Sequence, residues 1–127
     1  MKFCIADRQD LGLLDASQAA WDRGVRGAQR RALLAFLHKE DLPAQDTLDS
    51  LLFFTLVHLR RHPSALLLVN LEDLWLETSS QNVPGTALEG PNWRRKLRYP
   101  LERFRTRAEV LGRLRAVAPE ISLEGTR

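Results

Sequence analysis

Two residue pairs in this sequence have spacings that chemistry uses. His58 and His62 stand four apart, which puts both imidazoles on one face of a helix, where they can share a zinc ion. A zinc-protease motif needs Glu directly after the first histidine and a third ligand elsewhere. Here Leu59 holds that place, and Arg60 and Arg61 add positive charge. The pair therefore reads as helix-end side chains favoured by the dipole, and no metal is assigned. Glu72 and Asp73 are adjacent carboxylates. Adjacent side chains on a helical turn point about 100° apart, so they do not face one reacting atom as an acid and a base. They suit a helix N-terminus instead. Cys4 is the single cysteine, which excludes an internal disulfide, and no histidine lies near it in sequence to activate it. No phosphate-cradling glycine pattern is present, and no catalytic residue is assigned to this chain.

The richest stretch is SSQNVPGTALEGPNWRRKL, residues 79–97. Pro84-Gly85 is a type II turn signal, with proline fixing φ at the first central position and glycine taking positive φ at the next. Asn82 carries an amide that both donates and accepts, and it can also bond its own backbone in a turn. Thr86 can brace the turn or offer its hydroxyl to a ligand. Trp93 can stack on a flat ligand face, or pack the loop down and hydrogen-bond through its indole N–H. Arg94 and Arg95 follow it, then Lys96.

The elements that must hold this stretch are mostly helical. Residues 7–21 predict a weak helix, with Gly24 and Gly27 interrupting after it, and residues 29–39 predict a better one. A stronger helix is expected from Gln45 or Asp46 to Arg61, with Asp46 as N-cap and Leu48, Leu51, Leu52, Leu56 and Leu59 on one face. Pro63 stops it. Residues 65–70, ALLLVN, form a short continuous apolar run, the mark of a strand buried on both faces. Leu71 to Trp75 predict one or two helical turns. Thr106 and Glu109 match the capping-box spacing before a last helix at 107–118. A strand buried on both faces needs neighbours for its backbone groups, and the sequence offers none. The chain is thus expected to be a single partial domain. Residues 1–62 supply helices, 64–70 a strand, 71–100 a long loop, and 101–127 a C-terminal helix and tail.

The motif Asn82-Val83-Pro84-Gly85-Thr86, five residues, then Asn92-Trp93-Arg94-Arg95-Lys96-Leu97, resembles the C-terminal signature of bacterial 4-alpha-glucanotransferases, the amylomaltases of glycoside hydrolase family 77. The approach through Leu71-Glu72-Asp73-Leu74 and the exit through Pro100-Leu101-Glu102 look similar too. The resemblance implies an α/β fold. The chain would be the C-terminal piece of a (β/α)8 barrel, mostly helical in isolation, with the last barrel strand at 64–70 and a loop on the active-site side. It implies transfer of alpha-1,4-glucan segments between malto-oligosaccharides by a retaining mechanism, which uses two carboxyl groups roughly 5 Å apart and no cofactor. The family's catalytic carboxylates lie upstream of the matched region, so the chain alone is expected to be inactive. Asn82, Thr86 and Trp93 would be substrate-binding, while Pro84, Gly85, Asn92, Arg94 and Arg95 would hold the motif's shape. The implied partners are an alpha-1,4-glucan and a separate chain carrying the rest of the barrel. The alternative is a non-catalytic carbohydrate-binding or assembly remnant.

Composition sets the outer limits. The 127 residues carry a formal net charge of +3, with 44% hydrophobic and 28% charged residues, ordinary for a globular protein. The opening MKFCIADRQD has no apolar run, so a cytoplasmic location is expected, and the longest apolar stretch is far too short to span a membrane. Between Arg94 and Arg115 nine cations face only Glu102 and Glu109. With Trp93 among them, these could stack a base and track phosphates. A net charge of +3 and the lack of a recognised motif argue against nucleic acid.

Overall fold

The computed structural model describes residues 3–63, 66–79, 81–83, 85–86 and 92–118, with side chains from Ile5 onward. The helices are α1 (Phe3–Asp10), α2 (Ala16–Lys39), α3 (Leu48–Arg61), α4 (Leu101–Phe104) and α5 (Ala108–Val117), with a 3-10 turn at Leu71–Trp75 between α3 and α4. Among the described residues no strand forms, and no helix is long and apolar enough to cross a membrane.

The expected helix at 7–21 is two helices. Gly12, at φ +69°, breaks the chain after α1, and Asp15 restarts it. The Asp15 carboxylate accepts from the Gln18 N–H at 2.8 Å while the Gln18 amide oxygen accepts from the Asp15 N–H at 3.0 Å, a reciprocal capping box. The Gln18 N–H, and after it the Ser17 hydroxyl at 2.7 Å, hold the Asp15 carboxyl below its ordinary pKa. The helix so started runs straight through Gly24 and Gly27. A mid-helix glycine costs about 1 kcal/mol against alanine, a penalty that a capped and packed helix of 24 residues absorbs.

The α2–α3 corner builds the first core. Asp41 at φ +56° turns the chain out of α2, and the Leu42 N–H returns to the Leu37 carbonyl at 3.0 Å. His38 Nε2 donates to the Ala44 carbonyl at 2.7 Å. Leu37, Leu42, Ala44 and Leu51 are buried together, with Leu33, Leu34, Phe54 and Val57 packed around them. The cap of α3 is Thr47, whose Oγ1 accepts from the Ser50 N–H at 3.2 Å, and not Asp46. Asp46 is drawn away by Arg30, whose Nε reaches its Oδ1 at 2.5 Å.

The second core joins the 3-10 turn to α5. Leu74, Trp75 and Val110 are buried, with Val69, Tyr99, Phe104 and Leu114 against them. The capping box expected at Thr106 and Glu109 does not form. Thr106 Oγ1 donates back to the Arg103 carbonyl at 3.0 Å, and Glu109 takes the Arg107 guanidinium instead.

The strand expected at 64–70 is the main correction. Its described part, residues 66–70, pairs with no other strand. Exposure alternates along it: Leu66 is 72% and Leu68 81% exposed, while Leu67 and Val69 are half-buried. Two-sided burial requires sheet neighbours, and the described residues supply packing to one side only, through Val69.

Arg113 of α5 ties the parts together. It is 8% exposed, donates through Nη1 to the Leu74 carbonyl at the 3-10 turn, and pairs through Nη2 with Asp49 in the first turn of α3. Burial lowers its pKa, but a guanidinium stays charged at neutral pH. Arg113→Ala leaves the Leu74 carbonyl without this donor and is expected to cost about 2 kcal/mol. Asp49→Asn, at a largely exposed carboxylate, should cost about 0.5 kcal/mol. Urea unfolding followed by circular dichroism measures both, and equal losses would contradict the assignment.

Candidate functional site

The loop of interest starts from the 3-10 turn, so the turn's own anchoring matters. Asn70 caps it, its side-chain oxygen accepting from the Glu72 N–H at 3.3 Å. Leu76, left-handed at φ +54°, closes it and turns the chain outward. Glu77 then folds its carboxylate over the exit. One oxygen accepts from the Thr78 N–H at 2.8 Å and the Ser79 N–H at 3.0 Å. These two bonds, the Ser79 N–H foremost, keep the Glu77 carboxyl below its ordinary pKa, with the Arg98 charge assisting. Glu72 reaches across to the loop, where its Oε1 accepts from Gln81 Nε2 at 2.5 Å. Asp73 behaves oppositely: partial loss of solvent, and then the Glu72 charge beside it, raise its pKa. With Glu72 committed to Gln81, the two carboxylates make no facing pair.

Asn92 closes the loop. Its side-chain oxygen accepts from the Val83 N–H at 2.8 Å, and its Nδ2 donates to Thr86 Oγ1 at 2.8 Å and the Thr86 carbonyl at 3.2 Å. Thr86 Oγ1 in turn donates to the Val83 carbonyl at 2.8 Å. The Trp93 N–H donates to the Gln81 carbonyl at 2.7 Å, so residues 81–83, 85–86 and 92–93 are stapled together. Val83 is the buried foot of that unit. Gly85 sits at φ +91°, a conformation that glycine takes without strain, and a Cβ there would come within 3.9 Å of Leu13 Cδ1.

Several side chains of the stretch face outward. Asn82 is exposed, and Trp93, left-handed at φ +57°, is 77% exposed. Arg94 and Arg95 are exposed as well. Arg95, Lys96 and Arg98 line one wall of a groove of about 270 Å³ whose other residues are Glu72, Glu77, Ser79 and Gln81. The groove combines three exposed cations with two carboxylates that are already bonded, Glu72 to Gln81 and Glu77 to the Thr78 and Ser79 N–H groups.

A family model described as 4-alpha-glucanotransferase, glycoside hydrolase family 77, matches residues 15–102. The chain belongs to that family. Among curated proteins and among solved structures, none matches. The family 77 match covers α2, α3, the 3-10 turn and the whole stapled loop, and stops before α5 and Arg113.

Within this family 77 chain, Asn82 and Trp93 lie open to solvent, whereas Thr86 and Asn92 are spent on each other. Thr86 therefore braces the loop in this structure. Pro84 lies outside the described residues, as does the side chain of Cys4. His58 and His62 stack edge to face, with ring centroids 5.1 Å apart, and His58 also meets Phe36 at 4.9 Å. Among the described residues no three His, Cys, Asp or Glu side chains converge on a metal position. Of the nine cations between Arg94 and Arg115, Arg113 is buried and Arg107 lies 4.3 Å over the Tyr99 ring, while the other seven are exposed. Sequence reasoning missed Gln81 and Glu77 as loop anchors. The only local signal was a Glu placed two residues before a serine at a helix exit.

Two outcomes follow. Asn92→Ala removes the staple, and the Val83 amide should exchange with deuterium at least about tenfold faster; an unchanged rate would refute the staple. For Glu77 the folded pKa lies below the ordinary value of 4.5. Its contribution to stability is therefore full above about pH 4.5 and is lost as pH falls through the lowered value. Glu77→Gln should melt below wild type at pH 7, and the gap should close in acid. A gap that persists unchanged in strong acid would show that the carboxylate charge is irrelevant.

Proposed function

We propose that this chain is the C-terminal part of a 4-alpha-glucanotransferase, which moves alpha-1,4-glucan segments between malto-oligosaccharides by a retaining mechanism. In this reading residues 64–70 are the last barrel strand and the stapled loop stands at the active-site rim. Asn82 offers its amide to glucose hydroxyls and Trp93 its indole face to a sugar ring. The observation that carries the reading is the family match across a loop whose internal bonds consume Thr86 and Asn92 and leave Asn82 and Trp93 outward. The two carboxyl groups of retaining transfer belong, by the family pattern, to segments upstream of the matched region, so the chain by itself is inactive.

A second reading has one observation in its favour. Alternating exposure along residues 66–70 leaves Leu66 and Leu68 bare on one side, as suits a segment that docks onto a separate chain carrying the remainder of the barrel. In that case the chain is a carbohydrate-binding or assembly remnant without catalysis of its own.

The test is direct. Incubated with maltotriose, the purified chain should produce neither glucose nor longer maltodextrins. Turnover by the chain alone would overturn its assignment as a non-catalytic part. At physiological salt it should be retained on amylose more than on heparin, and Asn82→Ala should weaken the amylose retention. The reverse preference would favour a nucleic-acid role.

A further inference from the structure

A groove of about 390 Å³ lies between α1 and the start of α2, lined by Arg8, Leu14, Ser17, Gln18, Trp21 and Asp22. Its floor and rim differ in how far they are already used. The Gln18 amide oxygen is bound to the Asp15 N–H, and the Ser17 hydroxyl to the Asp15 carboxylate. Arg23, next along α2, is turned to Gln9 at 3.0 Å. Three groups keep capacity. Trp21 is 70% exposed, an indole that contributes little to either core. Arg8 Nη1 and Asp22 Oδ2 stand 3.8 Å apart, too far for a hydrogen bond, with side chains 38% and 27% exposed. A carboxylate and a guanidinium held just beyond bonding distance beside a flat apolar face complement a vicinal diol. One hydroxyl donates to the carboxylate, its neighbour accepts from the guanidinium, and the C–H face of the ring lies on the indole. A 1,4-linked glucosyl unit has such a pair free, at its 2- and 3-hydroxyls.

We propose that Trp21, Arg8 and Asp22 form an auxiliary glucan-contact site, apart from the stapled loop, that grips the diol of an internal glucosyl unit. The proposal rests on the glucan reading above and adds a second place where the chain holds glucan. The groove's volume suits a sugar ring. Arg8 precedes the segment matched by the family model, whereas Trp21 and Asp22 fall inside it. The contact thus combines residues on both sides of that boundary.

The probe is maltoheptaose, titrated into the isotope-labelled full chain while the indole N–H signals of its three tryptophans and the amides near them are followed by NMR. The Trp21 indole and the Asp22 amide should shift together and saturate. Asp22→Asn should weaken that response about fivefold, Trp21→Ala about tenfold, and Trp21→Tyr should restore most of it. If Trp21→Ala fails to fold, Asp22→Asn and Trp21→Tyr still decide the matter. Shifts confined to Trp93 and residues 81–86 would overturn this site and leave the glucan reading standing. A Trp21 shift indifferent to Asp22→Asn would overturn the diol grip. No shifts at all would overturn the site and the glucan reading together.

Discussion

The fold turns on one buried cation. Arg113 carries its charge into a place where burial disfavours it, and the position is tolerable only because two acceptors meet it there, the Leu74 carbonyl and the Asp49 carboxylate. Those acceptors belong to separate elements, the 3-10 turn and α3, which have no large shared apolar surface. The first core lies between α2 and α3 and the second between the 3-10 turn and α5. α3 and α5 also pack against each other, and Arg60 Nε at the end of α3 donates to the Ala118 carbonyl at 2.9 Å. A buried charge with fixed acceptors adds direction, since the guanidinium fork satisfies both only in one relative placement.

That placement reaches the candidate site through the backbone. Leu74 is the fourth residue of the five-residue turn, and Leu76 and Glu77 launch the loop immediately after it. Holding the Leu74 carbonyl therefore sets the direction in which the loop leaves. Glu77 then fixes the first two amides, Gln81 is drawn back to Glu72, and Asn92 is bonded to Val83 and Thr86. The bonds within the motif use Gln81, Thr86, Asn92 and the Trp93 backbone, while the side chains of Asn82, Trp93, Arg94, Arg95 and Lys96 stay exposed. The backbone that carries Trp93 is thus fixed by a bond its side chain does not make.

How much of this the sequence disclosed varies by element. The helix at 48–61 was legible because its leucines recur at helical spacing and Pro63 follows, and the turn at 71–75 because two carboxylates follow Asn70 at its start. Gly85 was legible from Pro84 before it, since positive φ at that position is a glycine property. The capping pair Asp15 and Gln18 has the right spacing in the sequence, but Gly24 and Gly27 dilute the helical signal of the long helix it starts. Breaker residues carry a cost, not a prohibition, and a good cap outweighs them. Arg113 was not legible. It sits in a run of arginines of which most are solvated, and nothing local distinguishes the one whose acceptors are 39 and 64 residues away.

Residues 66–70 show why pattern reading ran past the structure. A run of three leucines and a valine satisfies the rule for a strand buried on both sides, and that rule is silent about who the neighbours are. In this structure Val69 packs on the second core and Leu67 is half-covered, while Leu66 and Leu68 face out. The alternation leaves one side of this extended run covered and the other bare. An apolar side chain gains about 25 cal/mol for each Å² removed from water, so two bare leucines forgo several kcal/mol that a second surface would return. The described residues thus meet the apolar demand of this run on one side only, through Val69 on the second core.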